Sequence, residues 1–120
     1  MQENGELSVK VSELIGAELD YWVGAAEGMV VEIKDGVCFR EVRDGKRVYS
    51  PSKDWSEGGE IIEKENICWY EQGDELVVEA GELNRARMKL PILTPMLMAA
   101  MRCFVTSKYG EEVEAAIDNS

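Results

Sequence analysis

The stretch Tyr49-Ser50-Pro51-Ser52-Lys53-Asp54-Trp55-Ser56-Glu57-Gly58-Gly59-Glu60 concentrates the side chains of this chain best suited to contact chemistry. Tyr49 and Trp55 offer flat apolar faces with polar tips. The hydroxyls of Ser50 and Ser52 both donate and accept, whereas ionised Asp54 only accepts. Pro51 stiffens the backbone, and Gly58-Gly59 permits a tight bend or a close approach. This mixture suits a planar ligand with hydrogen-bonding edges, such as a nucleobase or nucleoside. The same residues serve structure equally well: Trp55 as a plug at the end of a core, Asp54 or Ser52 as the cap of a turn.

A nucleotide would also need a cation for its phosphate. Arg102, Arg85 and Arg87 are candidates, because a guanidinium binds phosphate with two parallel hydrogen bonds. Arg102 falls early in a predicted helix. The mouth of that helix, at Thr94, offers backbone N–H groups to an anion. The competing role for Arg102 is a salt bridge to an acidic stretch.

Other chemistries find little footing. Histidine is absent, which removes the usual zinc ligand and the usual general base near neutral pH. Cys38, Cys68 and Cys103 are odd in number and widely spaced, as expected of free thiols in a reducing compartment. Ser50, Ser52 and Ser56 lack a histidine base, and the cysteines lack a polar activating neighbour in sequence. The expectation is a protein that is not an enzyme and carries no cofactor or metal.

Charge bounds the partners. The chain of 120 residues has a net charge of −11. Nine acidic residues and one basic residue, Lys64, lie between Glu57 and Glu82. Five basic residues and no acidic one lie between Arg85 and Lys108, and six more basic residues between Lys34 and Lys53. An acidic total argues against direct nucleic-acid or anionic-membrane binding. A local basic pocket could still hold a small anion. Both runs also read as solvated faces. No apolar run is long enough for a transmembrane helix, and the polar, acidic start does not resemble a secretory signal.

The elements that must position these residues are those of a single α+β domain over 1–120. It is expected to be an antiparallel sheet of about five short strands, with an N-terminal and a C-terminal helix packed on it. Residues 1–6 and 114–120 read as flexible tails. Leu7–Val11 alternates as a strand, Ser12 is a candidate helix cap, and Ile15, Leu19, Trp22, Val23 and Ala26 form an apolar stripe ended by Gly28. Gly16 and Gly24 weaken this helix somewhat or allow a close packing partner. Met29–Ile33, Val37–Val42 and Arg47–Ser50 read as a meander turned at Asp35-Gly36 and Asp44-Gly45. Ile61–Glu65 suggests one helical turn. Ile67–Tyr70 and Leu76–Ala80 are strand candidates, and Gly81–Lys89 reads as irregular. Thr94-Pro95 predicts a cap with proline at the first helical position. Leu97, Ala100, Met101, Phe104 and Val105 then make a core face, and Gly110 is the stop.

Three blocks, in order, resemble NinX-like bacteriophage proteins. The first is Leu14-Ile15-Gly16-Ala17-Glu18-Leu19-Asp20-Tyr21-Trp22-Val23. The second comprises Tyr49-Ser50-Pro51-Ser52, Asp54-Trp55, Gly58-Gly59 and Ile61-Ile62-Glu63. The third comprises Thr94-Pro95, Ala99–Val105 and Ser107–Val113. The stretch between Glu71 and Leu93 matches poorly. Glu60 stands where the family tends to have proline, and Ile92-Leu93 where a glycine is usual before Thr94. The resemblance implies a small phage or prophage accessory protein made in the bacterial cytoplasm. It supplies no reaction.

Two functions follow as expectations. In the first, the protein binds and sequesters a small nucleotide-like ligand, such as a signal of host immunity, through Tyr49, Ser50, Ser52, Asp54, Trp55, Gly58, Gly59, Thr94 and Arg102. The pocket could lie at a two-fold interface of a homodimer or higher homo-oligomer. In the alternative, an acidic interaction protein blocks a host protein by mimicking DNA or occupying a basic surface, with Glu57–Glu82 as its working face.

Overall fold

The computed structural model describes residues 8–81 and 86–119. The N-terminal segment 1–6, Leu7 and Arg85 lie outside them. The strongest local propensity is in Met96–Tyr109, where methionine, leucine and alanine dominate and no glycine or proline intervenes. This run forms helix α3 (Met96–Tyr109). Its start differs from expectation by one residue. Pro95, not Thr94, is the N-cap, its carbonyl accepting from Ala99 N at 2.9 Å, and no side chain caps this end. Thr94 N instead closes a turn onto Pro91 O at 2.9 Å. Gly110, with φ 90°, ends the helix as expected.

α3 is buried on more than the one predicted face. Ala99, Arg102 and Cys103 join Leu97, Ala100, Met101, Phe104 and Val105 in the interior. The reason is coverage from several sides: α3 packs against α1 (Gly16–Ala26), α2 (Trp55–Lys64), β6 (Glu75–Ala80), β7 (Ala86–Pro91) and β8 (Glu112–Glu114). A helix covered this way is apolar nearly all round.

α1 buries Leu19 and Val23 completely, and Gly28, at φ 81°, follows its end. Ser12 does not cap it. Ser12 lies in a 3-10 turn (Val11–Glu13), and the residue before α1 is Ile15, in extended conformation with no side-chain cap. That geometry turns Ile15 outward, 59% exposed, so it leaves the predicted stripe. Of the two glycines, Gly24 takes the close-packing alternative, since a Cβ there would fall 2.5 Å from Val31 Cγ1 and 3.2 Å from the Tyr49 ring, whereas one on Gly16 would meet nothing within 4 Å.

The strands are more numerous than expected and do not form one sheet. β1 (Ser8–Lys10) pairs antiparallel with β8. β2 (Val31–Lys34), β3 (Val37–Val42) and β4 (Gly45–Val48) make the predicted meander. The Asp35-Gly36 turn has both residues at positive φ, 53° and 77°, as a two-residue hairpin favours. β5 (Cys68–Gln72), β6 and β7 make a second antiparallel meander. β7 occupies much of the stretch read as irregular. Ala86 and Leu90 are buried while Arg87 and Lys89 are exposed, a period-two pattern in which a half-buried methionine sits at the centre. The two meanders are separated in sequence by α2, which packs on α3 rather than extending either sheet.

α2 begins earlier than the single turn predicted at Ile61–Glu65. Asp54 caps it, accepting from Ser56 N at 2.9 Å. Gly58 lies where α2 crosses its neighbours. A Cβ on it would sit 2.3 Å from Pro51 O and 2.6 Å from Leu97 Cδ1. Among the described residues no helix is long and apolar enough to cross a membrane.

Gly58→Ala should therefore destabilise the fold by about 1–3 kcal/mol, the usual cost of overpacking. Gly59→Ala, whose Cβ would meet nothing closer than Trp55 Cε3 at 3.9 Å, should be neutral or stabilising by up to about 1 kcal/mol. Urea denaturation of both variants measures the difference. Equal behaviour would contradict the close crossing of α2 and α3.

Candidate functional site

The segment Tyr49–Glu60 is held by hydrogen bonds on both sides. Tyr49 N donates to Cys38 O at 2.9 Å as the chain leaves β4. Ser50 N donates to Glu57 Oε1 at 2.8 Å, which ties the loop to the first turn of α2. Asp54 N and Lys53 N close onto Ser50 O at 2.8 and 3.0 Å. Pro51 is buried, and its carbonyl faces Gly58.

The deepest of these ties runs to α1. Asp20, only 4% exposed, accepts from Ser52 N at 2.9 Å. Burial raises its pKa to about 6. Ser52 and the charge of Lys53 pull the other way, and Glu57 adds to the rise. Ser52 Oγ lies in the influence of the same carboxylate but falls short of a well-formed hydrogen bond. It is the one buried side-chain polar atom without a partner among the described residues. A proton on Asp20 would give that oxygen a donor. Asp20 is a residue that sequence reasoning missed. Its signal was a carboxylate placed beside the apolar stripe of α1, next to Leu19.

The predicted site residues therefore divide. Tyr49 is 3% exposed, its ring in the core and its hydroxyl pKa pushed up by burial. Ser52 is buried against Asp20. Gly58 is buried at a helix crossing, and Gly59 lies beneath the Trp55 ring. Arg102 is 8% exposed, and its Nε donates to Leu14 O at 2.9 Å. Burial lowers the Arg102 pKa, and Glu13 opposes that shift. Ser50 and Thr94 are half-buried. Asp54 is exposed, its pKa held down by the hydroxyl and N–H of Ser56. Trp55, in the first turn of α2, is 55% exposed. Neither Trp55 nor Arg102 lines any of the main clefts of the surface.

What the structure does assemble is an acidic groove of about 410 Å³ between the end of α1, β3 and α2. Met29, Tyr49 and Ile61 contribute apolar surface, and Glu27, Glu57, Glu60 and Glu63 contribute carboxylates. Glu27 is paired with Lys64 Nζ at 2.6 Å, which raises the lysine pKa, and Glu57 is engaged by Ser50 N. Glu60 and Glu63 form no ion pair with a described residue. Arg40 also reaches the groove. Glu27, Met29 and Arg40 were not legible as members, because only the fold brings α1 and β3 to α2. The described residues contain no group of three or more histidine, cysteine, aspartate or glutamate side chains placed to hold a metal ion.

A family model described as Bacteriophage P22, NinX matches residues 10–108. Among curated proteins nothing matches the chain. The matched span includes the Tyr49–Glu60 segment, Asp20 and Arg102.

The Asp20 geometry has a pH consequence. Its folded-state pKa of about 6 lies above the ordinary 3.8, so the folded chain binds the proton more tightly than the unfolded chain. The stabilisation from protonation is complete below 3.8 and is lost as pH rises through about 6. Asp20→Asn keeps an oxygen for Ser52 N and removes the titration. Relative to this variant, the wild type should lose roughly 2 kcal/mol between pH 4 and pH 7, from about 1.4 kcal/mol per pKa unit with a discount for residual solvation. Denaturation across that range checks it, and parallel pH profiles for the two proteins would contradict it.

Proposed function

The chain belongs to the NinX family of bacteriophage proteins, and we propose that it acts as an accessory interaction protein that docks on a basic segment of a host protein through the surface of α2. In this reading it catalyses no reaction and works in the cytoplasm of the infected bacterium.

The observation that carries this reading is the acidic groove on one flank of α2, with an exposed tryptophan on the same helix but outside the groove. Carboxylates at Glu60 and Glu63 flank an apolar floor, Glu60 feeling the charge of Lys64 one turn on but forming no ion pair with it. A lysine or arginine side chain lays an apolar stem along such a floor and presents its charge to the rim. Trp55, Gly59 and Glu63 follow one another at i, i+4 and i+8, so they share a stripe of the helix. The absence of a side chain at Gly59 leaves the Trp55 ring uncovered on that side. Exposed tryptophan is the residue type most often found at the energetic centre of an interface. The net charge of −11 would steer encounter with a basic partner.

The small nucleotide-like ligand is the second reading, favoured by the exposed Trp55 ring. A base stacked there would have to find its phosphate contact elsewhere, since Arg102 is buried with its Nε on Leu14 O.

Pull-down from host lysate with the wild type, followed by affinity measurement on the captured protein, tests the first reading. The double change Glu60→Lys with Glu63→Lys should weaken binding at least about 10-fold, and Trp55→Ala by a similar factor or more. Binding should also weaken as salt is raised. Unchanged affinity in the charge-reversed protein would overturn the reading.

A further inference from the structure

A second cleft, away from α2, has the opposite balance of charge. It holds about 360 Å³ where the end of β1, strand β7, helix α3 and the approach to β8 meet. Lys10, Arg87 and Lys89 line it, with the hydroxyls of Ser12 and Thr106. Cations outnumber carboxylates here by three to two, the carboxylates being Glu111 and Glu112. In the α2 groove the glutamates outnumber the cations by four to two. A chain of net charge −11 has thus gathered an excess of cations in one concave place.

We infer that this cleft binds a mononucleotide, with the phosphate on Lys89 beside Arg87 and the nucleoside toward Glu111 and Glu112, across from which Lys10 stands. Lys89 is exposed and forms no ion pair with a described residue, so its ammonium group is available to an anion, while Lys10, also exposed, stands directly across the β1–β8 pair from Glu112. Arg87 is partly engaged, at 3.4 Å from Glu79 Oε2 and 2.9 Å from Tyr70 OH, and is held in place at the wall. β7 is an edge strand, and its outward backbone groups pair with no other strand among the described residues. The Ser12 hydroxyl adds a neutral donor of the kind phosphate oxygens accept, whereas the Thr106 hydroxyl donates to Met88 Sδ at 3.4 Å and fixes that side chain in the wall.

The mixed lining argues for a nucleotide over a bare anion. Inorganic phosphate would meet repulsion from Glu111 and Glu112. A nucleoside carries ribose hydroxyls and exocyclic amines that donate to carboxylates. Met88, half-buried in the same wall, gives a polarisable sulfur of the kind that packs well against aromatic rings. The volume lies within the ordinary range for small-molecule clefts. This site is independent of the α2 surface, and its failure would leave the docking reading untouched.

Calorimetric titration with the nucleoside monophosphates of the common bases is the test, with adenosine and inorganic phosphate as comparators. At least one monophosphate should bind, and at least about 10-fold more tightly than adenosine or phosphate alone. Lys10→Gln with Lys89→Gln should weaken it by about 10-fold or more, while circular dichroism and thermal midpoint stay at wild-type values, because both side chains are exposed. If the double variant loses its fold, Lys89→Gln alone serves, with a loss of about 3-fold or more expected. Absence of binding by every monophosphate at millimolar concentration would overturn the inference. So would unchanged affinity in the lysine variants, or phosphate alone binding as tightly as the nucleotide.

Discussion

Burial of α3 on several sides is the constraint from which the rest of the structure follows. Both helices, the second meander and the β1–β8 pair close around it. A helix so enclosed has little room for polar groups, and Arg102 is the exception. Its Nε donates to the Leu14 carbonyl at the turn before α1, with the charge of Glu13 nearby, so one charged hydrogen bond fixes the N-terminal segment against the central helix. Leaving such a group unpaired would cost several kcal/mol. The arginine read from its place in the helix as a phosphate ligand thereby ties Leu14 to α3 through Nε.

The same logic explains the Tyr49–Glu60 segment. Pro51 and Ser52 dip into the core beside Asp20, and Gly58 lets α2 approach Leu97 and the Pro51 carbonyl. A motif dense in serine, proline and glycine resembles a ligand loop when read one residue at a time. In three dimensions its inner half is a packing device. The outer half, with Asp54, Trp55, Glu60 and Glu63, is exposed. The two clefts then present opposite charge on different elements, one beside α2 and one at the edge of β7.

Much of this was legible in the residues. The α+β class, both terminal helices, the meander turned at Asp35-Gly36 and the stop at Gly110 follow from local rules. α2 was underestimated because Gly58 and Gly59 lower helix propensity, and only the Asp54 cap and the packing of Gly58 offset that. β7 was missed although Ala86, Arg87, Met88, Lys89 and Leu90 alternate in burial, because methionine and lysine are weak strand signals. The single sheet became three because strand adjacency is decided by how helices divide the layers, which no local pattern encodes. The acidic groove was half visible: the run from Glu57 was plain, while Glu27, Met29 and Arg40 join it only through tertiary contact.

If α2 is the docking face, as proposed, and the buried half of the segment serves packing, a basic partner must perturb the former and spare the latter. Backbone amide shifts of isotope-labelled protein, followed during titration with an arginine-rich peptide, distinguish the two. Shifts should concentrate at Trp55–Lys64, Met29 and Arg40 and fade as salt is added. Shifts centred on Lys10 and Lys89, or spread evenly over all exposed carboxylates, would contradict the proposal.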